Sequence, residues 1–287
     1  MFNKRHIVRT IAATASILAL SFTAACGSGQ STASNSTDSD DITQQTYKPG
    51  KLTIATGQPA SEPWVMNDKP ESGEGYEAAV AYAVADKLGF KKSDVVWTRT
   101  AFDTAIAPGA KDWDFNIQQF GITDERKKAV DFSSSYYNDS QSVVVKKDSK
   151  FANATKVSDL KDATVGVMVG TLAYDYAKAN IKDDIQTFND DAALAQALDA
   201  GQIDALVTST VECVYMVQSE QVKDAKVLGR LPDSEDKSGM GIVLPKDSKL
   251  TAAVTKAVDD LNADGTIKKL QDKWLAEYTT DLTELKK

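Results

Sequence analysis

Histidine and cysteine are nearly absent from this chain of 287 residues. The sequence contains one histidine, His6, and two cysteines, Cys26 and Cys213. His6 lies in a leader that we expect to be removed, so the mature chain would carry no histidine. This excludes serine–histidine and cysteine–histidine nucleophilic mechanisms and histidine-ligated metals. Two cysteines cannot by themselves complete a zinc site, so we expect no metal and no cofactor.

Positive charge is in deficit, and long apolar runs are missing after the leader. The 33 lysines and arginines stand against 41 aspartates and glutamates, which gives a formal charge of −8 and a pI near 4.9. An acidic chain lacks the basic face that neutralises phosphates, so no nucleic-acid partner is expected. A body without a run of roughly 18 apolar residues is not expected to span a membrane. The length predicts one large or two modest domains.

The first residues have the pattern of an export signal. Lys4, Arg5 and Arg9 precede a short apolar run, and Ala24 and Ala25 stand before Cys26. A basic start, a short apolar run and small residues are typical of a secretory leader. The end of this segment resembles a bacterial lipobox, although Thr23 replaces the usual leucine. We predict a signal peptide over 1–25 and lipidation of Cys26; secretion with cleavage near Ala25 is the alternative.

The segment that follows the leader is polar. Residues 26–50 are rich in Ser, Thr, Asp, Asn and Gln, and such a composition cannot bury enough apolar surface to fold. We therefore predict a flexible tether that holds a folded body at the outer face of the cytoplasmic membrane. With Cys26 lipidated, Cys213 has no partner for an internal disulfide.

The body from residue 51 alternates strand and helix patterns. Short β-favouring runs at 52–56, 164–169 and 205–208 are separated by segments with apolar residues at helical spacing, such as 77–88 and 250–261. Strands that alternate with helices of this length indicate βαβ units, so we predict an α/β fold with largely parallel sheets.

An internal echo divides this body. Residues 143–150 and 242–249 both end in Lys-Asp-Ser-Lys after an apolar run. Chance could produce this match; the alternative is that both segments cross between two lobes. Two crossings would form a hinge, with a ligand cleft between the lobes. The predicted division is lobe 1 over 51–142 plus 243–287, lobe 2 over 143–242, and hinge strands near 143–147 and 242–246.

The segment from Trp113 to Ser133 carries Ile-Thr-Asp-Glu-Arg-Lys-Lys and resembles the signature of family 3 solute-binding proteins, the amino-acid receptors of ABC importers. Further matches follow in order over nearly all of 51–276. They include Glu62-Pro63-Trp64, Gly75-Tyr76-Glu77, Gly170-Thr171, Ala200 to Ala205, and Ala263 to Thr266. The resemblance implies a two-lobed, periplasmic-binding-protein-like type II fold. It also implies a monomer without enzymatic activity that captures an amino acid and delivers it to a membrane permease.

The resemblance places Arg126 where the family binds the ligand carboxylate. A guanidinium fork holds a carboxylate with two charge-assisted bonds, although a surface position in an Asp-Glu-Arg-Lys-Lys run is the alternative. The helix start at Gly170 and Thr171 favours an anion. Gln119 and Gly121 match ligand-contacting positions. Gln118 could line the side-chain pocket, and together with Gln119 it suggests a polar ligand.

Phe102 matches a position that often stacks on the ligand, and Trp64 follows the first strand near the cleft mouth; core packing competes for both. Two positions depart from the family. Gly121 replaces a Thr or Ser, and Ser209 stands where an aspartate commonly pairs with the ligand ammonium. Glu212 or another acid could substitute, backbone carbonyls could suffice, or the ligand could lack an α-ammonium.

Two other functions use the same scaffold. One is a cleft enzyme similar to cyclohexadienyl dehydratases, whose acid catalysis an acid such as Glu212 facing the cleft could permit. The other is a ligand-sensing module that acts through a separate signalling partner. The lipid anchor and tether favour delivery to a permease over metabolism.

Overall fold

The computed structural model describes residues 41–279 and 282–287. The predicted signal peptide over 1–25, the lipidation site Cys26 and most of the tether lie outside the described residues. Within the described part of the chain, no helix combines the length and apolarity needed to cross a bilayer.

Strands and helices alternate along the described residues, as the sequence pattern predicts. The strands are β1 (Leu52–Thr56), β2 (Val95–Arg99), β3 (Phe115–Asn116), β4 (Val130–Tyr137), β5 (Gln141–Lys146), β6 (Val165–Met168), β7 (Gln186–Phe188), β8 (Ala205–Ser209), β9 (Ala225–Arg230) and β10 (Met240–Pro245). The helices are α1 (Tyr76–Lys87), α2 (Phe102–Ile106), α3 (Leu172–Asn180), α4 (Asp191–Asp199), α5 (Thr210–Gln218), α6 (Thr251–Ala263) and α7 (Thr266–Trp274).

The first sheet has the order β2-β1-β3-β10-β4, with β1 parallel to β2 and β3, and β10 antiparallel to its neighbours. All five residues of β1 are buried. The apolar stripe of α6, with Val254, Val258 and Leu261, packs in the same core. The helix predicted over 250–261 therefore packs with the first sheet.

The second sheet has the order β7-β6-β8-β5-β9. β6 is parallel to β7 and β8, so the carboxyl ends of these three strands lie at one edge. Helices α3, α4 and α5 start at that edge, and each start is capped by a side chain: Thr171, Asp190 and Ser209 accept hydrogen bonds from Tyr174 N, Ala193 N and Glu212 N. Three helix N-termini therefore converge where an α/β sheet usually binds its ligand.

Between β4 and β5 the chain passes from the first sheet to the second over 138–140, and between β9 and β10 it returns over 231–239. Both crossings lie one short segment before the predicted hinge strands near 143–147 and 242–246. The difference has a physical reason: the apolar residues of each echo segment pair with strands of a single sheet, β5 with β8 and β9, and β10 with β3 and β4. The echo thus marks the first strand after each crossing.

Part of the segment assigned to the flexible tether is ordered in the fold. Residues 41–50 lie against the first sheet, where Ile42 packs on the core and Thr46 is buried. The Asp114 carboxylate accepts a hydrogen bond from Tyr47 N at 2.6 Å and another from Thr53 N at 2.7 Å. One buried acid therefore fastens this segment to β1, which composition alone does not reveal.

The last described residues lie with the second sheet, although the sequence assigned 243–287 to the first lobe. Leu285 is buried in the core of the second sheet, and Leu285 N donates to Arg230 O at 2.9 Å. Lys286 pairs with Lys156 in an isolated bridge. A buried leucine and backbone hydrogen bonds account for this position.

Candidate functional site: an acidic interlobe cleft with one arginine

A cavity lies between the two sheets, with a volume of about 580 Å³ when the space open to solvent is included. Concave sites of this kind, formed between two packed units, are where small molecules usually bind. Second-sheet elements contribute the starts of α3, α4 and α5, and first-sheet elements contribute α2 and the stretch after β3. Seven of the ten predicted ligand-binding residues line it: Phe102, Gln119, Gly121, Arg126, Thr171, Ser209 and Glu212.

An outer cavity of about 1,160 Å³ adjoins the first one. The two share several lining residues, among them Phe102, Gln119, Asp191 and Glu212. Gln118, an eighth predicted residue, lines this outer cavity, and its Oε1 atom is buried without a hydrogen-bond partner in the described structure. The site is therefore one cleft with a narrow inner end and a wider mouth.

Arg126 lies at the inner end and touches both lobes. Its Nη1 donates to Gly121 O at 2.7 Å, and its Nη2 donates to Gly170 O at 2.8 Å. Burial lowers the pKa of Arg126, while Asp175 and Asp236 raise it. Arginine stays charged because its ordinary pKa is so high. Only 9% of its surface is exposed, so the alternative of a solvated surface charge does not describe this side chain.

Phe102 forms one wall beside this guanidinium. The Arg126 Cζ atom lies 5.5 Å from the centre of the Phe102 ring, and Phe102 stacks on Phe120 with ring centres 4.6 Å apart. The sequence offered two alternative roles for Phe102, and the residue both lines the cleft and packs in the core. The stack fixes the ring in place and presents one face to the cavity.

Gly121 lets two side chains approach the backbone closely. A Cβ atom there would lie 2.5 Å from Leu172 Cδ1 and 2.7 Å from Asp236 Oδ2. The space that a Thr or Ser side chain would need is therefore filled by a leucine and a carboxylate from the second crossing segment. The family's Thr or Ser hydroxyl is absent at Gly121, and the Asp236 carboxylate lies close to this position instead.

Gly170 and Thr171 shape the start of α3. Gly170 has φ of +74° and gives its carbonyl to Arg126, but it is not among the residues that line the cavity. The Thr171 hydroxyl donates to Met168 O at 2.8 Å and accepts from Tyr174 N at 3.2 Å. Thr171 is therefore the helix cap as well as part of the cleft wall.

Trp64 lies in the core of the first sheet rather than on the cavity wall. It is fully buried and makes edge contacts with Tyr76 and Tyr137. Its indole N–H donates to Glu212 Oε2 at 3.1 Å, so it reaches across to the second lobe. Core packing is the structural role, and the hydrogen bond orients a cleft acid.

The family model for bacterial extracellular solute-binding proteins, family 3, matches residues 52–277. The chain belongs to this family. The L-cystine-binding protein TcyJ of Escherichia coli K12 is 31% identical over 209 residues, which are 72% of this chain and 76% of TcyJ. The L-arginine-binding protein of Pseudomonas aeruginosa is 29% identical over 245 residues, 80% of this chain and 88% of that protein.

A solved structure shows the same architecture. An ancestral arginine-binding protein bound to arginine has a TM-score of 0.67 and 31% sequence identity, and the match covers 78% of this chain and 98% of that one. The type II periplasmic-binding-protein fold of this solute-binding protein is thereby confirmed, as is the resemblance on which the sequence analysis relied. The relatives named here are binding proteins for amino acids.

The inner cavity of this solute-binding protein is lined by three carboxyl groups besides that of Glu212. The sequence did not point to these three, which belong to Asp139, Asp191 and Asp236. Burial raises the pKa of Asp139 to about 7 and that of Asp191 to about 6. Burial, together with the nearby Asp191, raises the pKa of Glu212 well above its usual range. Asp236 is less buried; desolvation raises its pKa and Arg126 lowers it.

A fourth missed residue, Glu77, lies behind the cleft. Its Oε1 accepts hydrogen bonds from Gln119 N at 2.7 Å and from the Tyr136 hydroxyl, and its Oε2 accepts from Gln119 Nε2. Gln119 has a positive φ of 50°, which costs energy unless neighbouring groups hold it. Burial raises the pKa of Glu77 to about 7. Glu77 thus holds the strand end that leads to Gly121 and Arg126; the only sequence signal was its place in Gly75-Tyr76-Glu77.

Proposed function

We propose that this protein is the extracytoplasmic binding component of an ABC importer and captures an amino acid with a polar, hydrogen-bond-donating or positively charged side chain. The observation that carries the proposal is the composition of the inner cavity, which combines one arginine with four carboxyl groups. We further propose that it acts as a monomer and as a receptor without turnover, which accords with relatives named as binding proteins.

Charge decides the orientation of such a ligand. Arg126 attracts the ligand carboxylate, since a guanidinium holds a carboxylate through two parallel bonds. Among the described residues it donates two hydrogen bonds, and a guanidinium has five N–H groups, so three remain for a ligand. The carboxyl groups of Asp191 and Glu212 then face the side chain, because both line the inner and the outer cavity. The ionised forms of these groups would repel an acidic side chain.

Contacts across the cleft support closure around the ligand. Arg126 of the first lobe bonds Gly170 O of the second, Trp64 bonds Glu212, and Tyr215 of α5 donates to Glu62 Oε2 at 2.9 Å. A ligand that adds contacts to both sides shifts an open–closed equilibrium by its differential affinity for the closed form. We propose that the permease recognises this closed form.

Ligand preference is tested by a thermal-shift screen of residues 41–287, freed of bound ligand, against the twenty amino acids, ornithine and cystine. A ligand at 100 times its dissociation constant adds about 2.7 kcal/mol of stability, which shifts the melting temperature by several degrees. We expect shifts with arginine, lysine, ornithine, glutamine or cystine and none with glutamate or aspartate. A shift with the acidic amino acids alone would contradict the proposal.

We also propose that Cys26 anchors the protein to the outer face of the cytoplasmic membrane through a lipid. In the native host, or in a Gram-positive expression host, Cys26→Ser is expected to move the protein from the membrane fraction to the culture medium. Cys213→Ser is the matched control, because Cys213 is buried, and it should stay in the membrane fraction. Mass spectrometry of the purified N-terminus reports the lipid directly; an unmodified Cys26 on membrane-bound protein would contradict the proposal.

A further inference from the structure

We propose that Asp236, in the segment where the chain crosses from the second sheet back to the first, binds the α-ammonium group of the ligand. It would thereby supply the acid that is missing at Ser209. The inference rests on the proposed function, since it requires an amino-acid ligand in the cleft.

The two carboxylate oxygens of Asp236 have different surroundings. Oδ1 accepts hydrogen bonds from Ser238 N and Gly239 N, both at 3.1 Å, and these bonds fix the orientation of the group. Oδ2 is buried, and no group of the described residues donates a hydrogen bond to it. A buried carboxylate oxygen without a donor is costly, so a ligand that supplies N–H groups gains from this site.

Asp236 and Arg126 meet at Gly121. The arginine donates to Gly121 O, and Asp236 Oδ2 lies 2.7 Å from the position that a Cβ atom on Gly121 would take. In an α-amino acid the ammonium and the carboxylate sit on the same carbon atom. An acid next to the group that holds the carboxylate is therefore placed for the ammonium and not for the distal part of the side chain.

Each of the other cleft acids also has a donor, but among the described residues only Asp236 has a carboxyl oxygen that is buried without one. Glu212 Oε2 accepts from Trp64 and Asp139 from Ser140 N, while Asp191 Oδ1 accepts from Thr208 at 3.2 Å. Burial raises the pKa of all four acids, but for Asp236 the hydrogen bonds from Gly239 N and Ser238 N and the nearby Arg126 charge oppose this shift and favour the charged form. A charged carboxylate is the better partner for an ammonium group.

The backbone of Asp236 joins the two crossing segments. Asp236 N donates to Asp139 O at 2.9 Å, and Asn138 Nδ2 donates to Asp236 O at 3.1 Å. An ammonium bound by Asp236 is therefore connected to both crossings through direct hydrogen bonds. Ligand recognition and lobe closure would share this residue.

The test compares each amino acid with an analogue that lacks the α-ammonium. The first pair is L-arginine and 5-guanidinopentanoate, and the same design applies to whichever amino acid of the screen binds most tightly. Calorimetry is done on the wild type and on Asp236→Asn, which keeps the acceptor for Ser238 N and Gly239 N. Glu235→Gln, an exposed neighbour on the same segment, is the matched control.

We expect Asp236→Asn to weaken binding of the amino acid by about 10- to 100-fold and to change binding of the analogue by less than threefold, while Glu235→Gln changes neither. Adding Ser209→Asp to Asp236→Asn should restore part of the lost affinity, which a purely structural role of Asp236 would not allow. An equal loss for both ligands, or unchanged binding of the amino acid, would overturn the proposal. Failure of the wild type to bind any amino acid would instead contradict the proposed function.

Discussion

Replacement of Arg126 by alanine is expected to weaken ligand binding by at least about 100-fold. The guanidinium group is the cation at the inner end of a cavity that otherwise holds four carboxyl groups. Hydrogen bonds to charged groups contribute about 1.5 to 3 kcal/mol each, so the loss of two to a ligand carboxylate corresponds to two orders of magnitude or more. Arg126→Lys should recover little of this loss, because an ammonium group cannot reproduce the two-pronged geometry.

The control for this experiment is Lys127→Ala in the same charge run. Lys127 is exposed and pairs with Asp124 on the surface, so its loss should leave binding within a factor of two. Circular dichroism and thermal unfolding establish that the Arg126 variants fold. If folded Arg126→Ala bound the ligand as tightly as the wild type, Arg126 would not hold the ligand carboxylate.

Acidic pH is expected to change stability and affinity in opposite directions. Burial raises the pKa of Glu77 and Asp139 to about 7 and of Asp191 to about 6 in the folded protein. In the unfolded chain these carboxyl groups lose their protons near pH 4. The ligand-free fold therefore binds more protons than the unfolded chain between about pH 4 and 7. Its free energy of unfolding should fall by a few kcal/mol as the pH rises through this range.

The affinity for a positively charged ligand should rise, not fall, as the pH increases. Such a ligand favours the ionised forms of Asp139 and Asp191, so protons must leave when it binds. We expect affinity to rise by about tenfold between pH 5 and pH 8, with proton release visible as a dependence of the binding enthalpy on the buffer. Asp191→Asn should reduce both the proton release and the pH dependence of affinity.

Measuring unfolding and binding on the same variants distinguishes the effect of the cleft acids from that of Glu77, which lies behind the cleft. Glu77 contacts Gln119 and Tyr136 and does not line the cavity. Glu77→Gln should therefore flatten the pH dependence of unfolding more than that of binding. Affinity that is constant, or that falls, from pH 5 to pH 8 would contradict the assignment of a cationic ligand to these carboxyl groups.

Much of the fold follows from local sequence, but the crossing points do not. Residues 143–146 and 242–245 have strand-like apolar patterns that predict strands correctly. Whether a strand spans two sheets or begins just after the crossing depends on which neighbours it pairs with, and pairing is a property of the tertiary structure. In the same way, polar composition predicted a flexible segment up to residue 50, while the long-range acceptor Asp114 and the packing of Ile42 on the core hold its last ten residues against the first sheet.

The site shows the same division between local and long-range information. Arg126 could be selected because it stands inside a contiguous signature. Asp139, Asp191 and Asp236 could not, since they lie on three separate segments and each resembles an ordinary loop or helix-cap acid in the sequence. Their meeting at one cavity depends on the crossings and on the edge where α4 begins. Trp64 matched a motif of the family, yet it is buried in the core and contacts Glu212 through its indole N–H instead of lining the cavity.

The most direct test of the account is a calorimetric titration of ligand-free wild-type protein with L-arginine, L-lysine, L-glutamine, L-cystine and L-glutamate at pH 8, with Arg126→Ala measured beside it. We expect one binding site per chain for at least one ligand with a polar or cationic side chain, no heat with glutamate, and binding at least about 100-fold weaker in the variant. Absence of binding for every amino acid by folded protein, or equal binding by wild type and Arg126→Ala, would contradict it.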